Sequence, residues 1–337
     1  MNAPRLKRFL TIFPLADDRW VLRGGTNELC RVHLRNERAQ AAFGELIPLL
    51  DGGRDEEGIL REAEARGVPR DAARALLDHL ERSRCLEEAN GHLLSADESA
   101  HHAGQLVFFS HFTSGGGAAE QARLAATRID VAGERRLAQA VRELLTASGF
   151  AEPIPLEGTG PRALPAGEAT PHAVVLAADH HDYEQLAAID EWSRVSGRPW
   201  LLIRVLSARE AWVGPLFVPG DTASYRSFEA RLRGQVPLLQ PLPGLESYFA
   251  GGVEGLLPAQ REVLAGVAVT ELVKLFSGYQ VPHLAGRFLA VDLATWDTES
   301  HDVWRIPRLD GDAALRPHPF PWKEALYGQT PTNDRRG

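Results

Sequence analysis

Alternating apolar and polar residues near the N-terminus predict a small antiparallel sheet. The runs Arg19–Arg23 and Cys30–Leu34 have the composition of short strands, and the glycines and asparagine between them favour a turn. We therefore expect these two runs to form a hairpin. A similar run at Thr11–Phe13 could supply a third strand.

Helical periodicity replaces this alternation after residue 40. Apolar residues then recur at spacings of three and four, which places them on one face of a helix. The first such face contains Phe43, Leu46, Ile47 and Leu50. Pro48 is expected to end this helix early, because proline lacks the N–H that continues a helix. Two further helices are predicted at Asp55–Arg66 and Asp71–Arg84.

The segment after the third helix has the pattern of a second, smaller hairpin. Leu86 and Leu93-Leu94 flank Asn90-Gly91, a pair that favours a tight turn, and such a hairpin would form a wing. Strands, three helices and a wing indicate a winged helix-turn-helix domain over residues 1–95. Residues 96–104 are polar, and we interpret them as a linker.

From residue 105 the pattern changes to alternating strands and helices. Ala173–Ala178 and Trp200–Val205 have the composition of buried strands, and Tyr183–Ser196 between them is helical. This alternation is typical of a parallel sheet with helices on its faces. We therefore expect residues 105–337 to form an α/β domain.

Composition narrows the function classes. With 337 residues, two domains are expected, and the formal net charge of −8 argues against a dedicated nucleic-acid-binding protein. Cys30 and Cys85 are the two cysteines, and they have neither metal-like spacing nor the density of a disulfide framework. With no signal-like or membrane-spanning segment in the sequence, a cytoplasmic location without membrane association is expected.

One block of sequence resembles a known family. Gly214–Phe228 (GPLFVPGDTASYRSF) is similar to the segment G-P-L-x-x-P-G-x-T-x-C-x-x-C of ThiF-like proteins. The order of the surrounding segments is also similar: a strand ending at Ala178-Asp179, a helix, this block, and a long apolar helix at 258–276. The branch that the chain resembles comprises the leader-peptide-binding partner proteins of azole-forming (TOMM) YcaO cyclodehydratases. There a winged-helix RiPP recognition element precedes a ThiF-like, Rossmann-type sheet domain.

The chain departs from this family at the residues that would bind zinc and nucleotide. Ser224 and Ser227 replace the first Cys-x-x-Cys pair, and no cysteine follows Cys85, so no structural zinc is expected. The family's G-x-G-x-x-G loop is reduced to Gly133, which is followed by an acidic residue. We interpret Gly133 and Asp179 as a degenerate nucleotide site, and no cofactor is expected.

The resemblance also implies how a peptide would bind. In the family, the leader peptide adds as a strand to the edge of the winged-helix sheet and packs against the third helix. The edge strand would be Cys30–Leu34. The candidate contacts are Cys30, Arg31, Val32, His33, Leu34, Arg70, Arg74, Leu77 and Arg82. Taken individually, Arg74 and Arg82 fit solvated charges on the helix face better than specific contacts. Leu77 is expected to lie mostly in the core, and Cys30 is expected to be a small buried residue.

The resemblance therefore implies a non-catalytic scaffold with no catalytic residues of its own. It would bind the leader of a ribosomally synthesised precursor peptide and deliver it to a YcaO-type cyclodehydratase that forms thiazolines and oxazolines. A homodimer is possible. One alternative is an active ATP-dependent adenylating enzyme of the ThiF class. A second is a winged-helix DNA-binding regulator, which the acidic net charge disfavours.

Overall fold

The computed structural model describes residues 2–16, 19–34, 37–89, 93–156, 171–178, 183–235 and 255–310. The chain divides into two compact units, residues 1–122 and residues 123–337. The first unit is therefore longer than the domain predicted at 1–95. The additional residues include the stretch that we interpreted as a linker.

The first unit begins with strands and ends with helices. Its elements are β1 (Pro4–Leu6), β2 (Leu10–Ala16), β3 (Arg19–Gly24), β4 (Asn27–His33), α1 (Glu37–Leu46), a 3₁₀ turn (Ile47–Leu49), α2 (Glu56–Ala65), α3 (Arg70–Arg82), β5 (Leu86–Glu88), α4 (Ala96–His101), α5 (Ala103–Ser110) and α6 (Ala118–Ala125), which extends past the division. The three predicted helices are present, and the first ends at the 3₁₀ turn that contains Pro48, as expected.

The predicted N-terminal hairpin is present as part of a three-stranded antiparallel sheet with the order β2-β3-β4. Leu22 pairs with Cys30 and Val21 pairs with Arg31. One face of this sheet packs against the helices, where Leu22, Leu46, Leu60 and Leu80 are fully buried. Burying one leucine contributes about 1.5–3 kcal/mol, so this face fixes the pairing register.

The predicted wing is corrected by the position of β5. Leu86–Glu88 pairs antiparallel with β1, with Leu6 opposite Leu86, whereas Leu93 and Leu94 form a bend rather than a strand. β1 therefore takes the place of the second strand of the predicted wing. Leu86 and Glu87 of β5 are buried in the structure. The predicted Asn90-Gly91 turn lies outside the described residues.

The stretch 96–104 is helical rather than an extended linker. Ser95 accepts a hydrogen bond from the Glu98 amide, and the Glu98 carboxylate accepts one from the Ser95 amide, which together form a capping box for α4. α5 follows directly, and its Leu106 and Phe109 are buried. The polar residues of this stretch belong to α4, which is exposed to solvent. The apolar residues that follow belong to α5.

In its described residues, the second unit contains a six-stranded sheet with helices packed on it. Its elements are β6 (Ile129–Gly133), α7 (Arg135–Ala147), β7 (Ala173–Ala178), α8 (Tyr183–Ser196), β8 (Trp200–Val205), β9 (Glu210–Phe217), α9 (Tyr225–Gln235), α10 (Pro258–Ser277), β10 (Arg287–Asp292), β11 (Thr298–Asp302) and α11 (Pro307–Asp310). The strand order is β11-β10-β9-β8-β7-β6.

This sheet is mixed, whereas the sequence predicted a parallel one. β6, β7 and β8 are parallel, as expected, but β9, β10 and β11 each run antiparallel to their neighbour. The reason lies between Val205 and Glu210, where the connection is too short to contain the crossover helix that a parallel neighbour requires. β7 and β8 are buried along their whole lengths, with α7 and α10 among the helices that contact the sheet.

Candidate functional site

The edge of β4 is the first candidate site. Within the described ranges, β4 pairs with β3 on one side and with no strand on the other. Helix α3 contributes a residue at this edge: His79 Nε2 lies 3.3 Å from the Arg31 carbonyl oxygen and 3.3 Å from Cys30 Sγ. The predicted edge strand and the predicted third helix are therefore close together in the structure.

The residues predicted on this strand alternate between the core and solvent. Cys30, Val32 and Leu34 are buried, whereas Arg31 and His33 are exposed. Only the latter two side chains are available on the surface of the strand. The buried three support the strand from the core side.

The predicted residues on α3 divide into two groups around the helix. At about 100° per residue, Arg70 and Arg74 lie about 180° and about 140° away from His79, whereas Arg82 lies about 60° away. Both guanidinium–carboxylate contacts of Arg70 are to Glu57, at 2.6 Å. Arg82 Nε donates to the Asp78 carbonyl at 3.1 Å. The structure therefore brings Arg82 toward the β4 side of the helix, but neither Arg70 nor Arg74.

Leu77 has the burial expected of a core residue, since it is 4% exposed. One residue near this edge, His79, was not singled out in the sequence. His79 directly precedes Leu80, a buried residue of α3, and is itself half-buried. A polar residue next to an apolar helix position is the sequence signal that could have identified it.

The thiols of Cys30 and Cys85 interact in the core behind this edge. The neighbouring Cys85 side chain lowers the pKa of the Cys30 thiol to about 6, against the opposing effect of burial. The Cys85 thiol itself donates a hydrogen bond to the Ser83 carbonyl oxygen at 3.7 Å. Ser83 and His79 also act to lower this pKa. The neighbouring Cys30 side chain, together with burial, raises the pKa of the Cys85 thiol. A negative charge in this pair is therefore favoured on Cys30.

The loop that we interpreted as a degenerate nucleotide site has a carboxylate bound at the N-terminus of α7. Phosphate groups bind to free amides at the N-terminus of a helix. At the start of α7, the Glu134 carboxylate accepts hydrogen bonds from the amides of Arg136 and Leu137, at 2.8 and 2.6 Å. Gly133 has φ of +111°, and a Cβ there would lie 1.9 Å from the Ala177 carbonyl oxygen. Glycine is therefore required at this position, because β6 and β7 pack closely there. Asp179 lies outside the described residues.

Ser224 and Ser227 lie together around a carboxylate. Asp310 Oδ1 accepts a hydrogen bond from the Ser224 amide at 3.0 Å, and Asp310 Oδ2 accepts one from the Ser227 hydroxyl at 2.8 Å. The Ile306 amide donates to the same Oδ2 at 3.0 Å. Among the described residues, no group of three or more His, Cys, Asp or Glu side chains could hold a metal ion.

A cavity of about 890 Å³ adjoins this cluster. Its lining includes Asp190, Arg226, Arg305 and Asp310. Burial raises the pKa of Asp190, although its carboxylate accepts a hydrogen bond from the Tyr225 amide and lies 3.9 Å from Arg226 Nε. Arg305 likewise lies 3.8 Å from Asp310 Oδ2, so these charged groups around the cavity are paired with one another.

In the described part of the chain, no helix is both long enough and apolar enough to cross a membrane. No protein-family model and no curated protein matches the chain. Comparison with solved structures, in contrast, identifies clear similarity of fold.

The heterocyclase TruD is similar over most of this chain, with a TM-score of 0.68 and 20% sequence identity. The match covers 91% of this chain and 42% of the TruD chain. A heterocyclase solved with substrate and cofactor gives a TM-score of 0.66 at 19% identity and is covered over 39% of its length. This chain therefore spans about two fifths of these heterocyclases.

E. coli MccB is similar over nearly its whole length. Its structure matches with a TM-score of 0.60 and 13% identity, covering 94% of this chain and 99% of MccB. MccB solved with ATP gives a TM-score of 0.61 at 12% identity. At these identities the similarity shows a shared fold.

Proposed function

We propose that this protein binds the leader segment of a ribosomally synthesised precursor peptide and delivers it to a YcaO-type cyclodehydratase. In this proposal the protein is a non-catalytic scaffold, and the cyclodehydratase converts Cys, Ser or Thr residues of the peptide to thiazolines and oxazolines. The observation that carries the proposal is that β4, among the described strands, pairs with β3 alone and lies beside α3. The fold shared with the heterocyclase TruD supports the assignment to peptide modification.

An extended peptide binds in this proposal as a fourth strand on β4. The contact between His79 and the Arg31 carbonyl supports a particular register, because a carbonyl that reaches a side chain of α3 is directed away from β3. Main-chain groups two residues apart on a strand face the same side, so Arg31 and His33 present the groups that pair with the peptide. Main-chain hydrogen bonds supply affinity, and neighbouring side chains supply selectivity.

Two features of the second unit are the reason why the proposal includes no adenylating activity. The Glu134 carboxylate occupies the α7 amides that a phosphate would need, and it would also repel a phosphate electrostatically. Ser224 and Ser227 are neutral hydroxyls, which bind zinc poorly compared with thiolates. The second unit then serves to dock the cyclodehydratase.

The competing function is ATP-dependent adenylation, which the similarity to MccB solved with ATP favours. The two functions differ in a simple observable. A scaffold binds its peptide equally well with and without ATP, whereas an adenylating enzyme consumes ATP and releases pyrophosphate.

Fluorescence anisotropy of a labelled synthetic leader peptide tests the proposal directly. The probe is the leader of the precursor encoded beside this protein, with a scrambled peptide of the same composition as control. We expect saturable binding of the leader by the full chain in EDTA and without ATP, and no pyrophosphate release when ATP and peptide are added. Absence of leader binding, or pyrophosphate release dependent on the peptide, would contradict the proposal.

A further inference from the structure

Trp296 is an exposed aromatic residue in a backbone conformation that its side chain disfavours. It lies in the loop between β10 and β11, has φ of +66°, and is 43% exposed. Hairpin loops usually place glycine or asparagine at a left-handed position, because other side chains collide there with their own backbone. Among the described residues, the other non-glycine residue with positive φ is Arg84, just after the end of α3, where this conformation is common. Trp296 has no helix end to explain it.

Hydrogen bonds to Asp292 hold this loop in its conformation. The Asp292 carboxylate accepts the amides of Ala294 and Thr295, at 2.8 and 3.1 Å. The Asp292 carbonyl oxygen accepts the Trp296 amide at 2.7 Å. Arg209 Nε donates to the same carboxylate at 2.8 Å, which fastens the loop to the start of β9. Strained residues persist where the surrounding structure determines their conformation, and such residues are concentrated at functional sites.

The surroundings of Trp296 are acidic. Asp297 and Glu299 follow it in the chain, and both are exposed. Glu210, which is also exposed, lies opposite Asp292 on the neighbouring strand β9. An exposed indole ring with carboxylates around it favours a basic partner, because the face of the ring and the carboxylates both attract cations.

The strand that follows the loop extends this surface. In the described part of the chain β11 pairs with β10 alone, and all five of its residues are exposed. The loop and the strand are therefore contiguous on the second unit. We call residues 292–302 the β10–β11 surface. It belongs to the other unit than the β4 edge, so a partner that binds it is a different one from the leader peptide.

We propose that the β10–β11 surface docks the cyclodehydratase, and that Trp296 inserts into an apolar pocket with a basic rim on that partner. This docking site rests on the proposed function, in which a separate chain carries the cyclodehydratase. The match to the heterocyclase TruD covers 42% of that chain, so the larger part of TruD has no counterpart here. Tryptophan is enriched among the residues that dominate interface affinity. A loop that is already fixed in its bound conformation lowers the entropic cost of association.

Interferometry with the immobilised cyclodehydratase encoded beside this protein measures its affinity for the full chain and for variants. We expect Trp296→Ala to weaken binding about tenfold to thirtyfold, as for a central aromatic anchor, and Trp296→Phe to retain part of the affinity. Trp304→Ala is the matched control and should bind like the wild type. Trp304 is 68% exposed, but it lies beyond the opposite end of β11 and has no positive φ. Equal affinities of the wild type and Trp296→Ala would overturn the proposal.

A second pair of variants separates the ring of Trp296 from its backbone. Trp296→Gly and Trp296→Ala both remove the ring, but only glycine adopts a positive φ without strain. Trp296→Gly should therefore unfold about 2–4 °C above Trp296→Ala, while both bind the cyclodehydratase equally weakly. An alanine variant at least as stable as the glycine variant would contradict the left-handed backbone on which the fixed loop depends.

Charge reversal tests the basic rim of the partner. Glu299→Lys should slow association with the cyclodehydratase, and added salt should reduce the difference from the wild type. An unchanged association rate would contradict the basic rim. If the wild-type protein binds the cyclodehydratase but Trp296→Ala binds equally well, the docking site is wrong and the proposed function stands. If the wild-type protein does not bind the cyclodehydratase, delivery to that enzyme fails together with the docking site, whatever the leader titration gives.

Discussion

The Ser227 hydroxyl donates a 2.8 Å hydrogen bond to Oδ2 of Asp310. The other oxygen of the same carboxylate accepts a hydrogen bond from the Ser224 amide, so Asp310 contacts both Ser224 and Ser227. A negative charge at this position is also favourable for the N-terminus of α9. The contacts fasten α11 to the start of α9.

Replacing Asp310 with alanine should destabilise the second unit. The change removes hydrogen bonds to a charged acceptor and leaves the Ser227 hydroxyl, which is fully buried, without this partner. A cost of about 2–4 kcal/mol is expected in the free energy of unfolding. Urea unfolding of Asp310→Ala measures this cost, with Glu299→Ala on an exposed strand as the control. Equal stability of the two variants would show that the Asp310 contacts contribute little.

Gly133 and Gly266 should respond oppositely to alanine. At Gly133 the new Cβ would lie 1.9 Å from the Ala177 carbonyl oxygen, and its φ is +111°, so Gly133→Ala should cost on the order of 3 kcal/mol or more. Gly266 lies within α10 and a Cβ there meets no atom within 4 Å. Gly266→Ala should therefore stabilise the protein by about 0.5–1 kcal/mol. Thermal unfolding of both variants compares them, and a tolerated Gly133→Ala would contradict the close approach of β6 and β7.

Asp190 should make stability depend on pH in a defined direction. Burial raises its pKa in the folded state above the ordinary value of 3.8. An acid whose folded pKa is raised stabilises the fold below its unfolded pKa, and this contribution is lost as pH rises through the folded pKa. Asp190→Asn, which keeps an acceptor for the Tyr225 amide, should therefore gain stability relative to the wild type as pH rises from 3.8. Urea unfolding over that range measures the difference, and a difference independent of pH would contradict the assignment.

The sequence predicted most of the elements but fewer of their partners. The N-terminal hairpin, the helix stripes and the parallel strands β6 to β8 follow from local periodicity, because one face of each element is buried. The pairing of β5 with β1 could not be predicted, since it joins residues about eighty positions apart. The polar stretch 96–104 was misleading because a solvated helix and a linker have similar composition.

The residues of the candidate site, too, could be predicted from the sequence only in part. Cys30, Arg31 and His33 could be placed from strand alternation alone. His79 could not be assigned to the site because its significance depends on which strand lies beside α3. Likewise, the role of Ser224 and Ser227 depends on Asp310, more than eighty residues away. Nothing in the local sequence of either segment indicates that contact.

Arg31→Pro and Arg31→Ala should separate main-chain from side-chain recognition of the leader. Proline removes the outward N–H of an edge strand, a position where it is otherwise tolerated, whereas alanine keeps this N–H. We expect about tenfold weaker leader binding for Arg31→Pro than for Arg31→Ala, since a hydrogen bond is lost and the proline ring obstructs pairing. Anisotropy titrations measure both, and thermal unfolding verifies that the hairpin persists. Equal affinities would argue against pairing at Arg31.

Arg82 and Arg70 provide a matched pair on α3. Both are arginines near an end of the helix, but Arg82 lies on the β4 side, whereas Arg70 is on the opposite side and is bound to Glu57. If the leader carries acidic residues beside α3, Arg82→Ala should weaken its binding about two- to fivefold, as expected for an exposed ion pair. Added salt should reduce this difference, because exposed charges are screened. Arg70→Ala should leave leader affinity unchanged. A larger loss from Arg70→Ala than from Arg82→Ala would place the peptide on the other face of the helix and would contradict binding along β4.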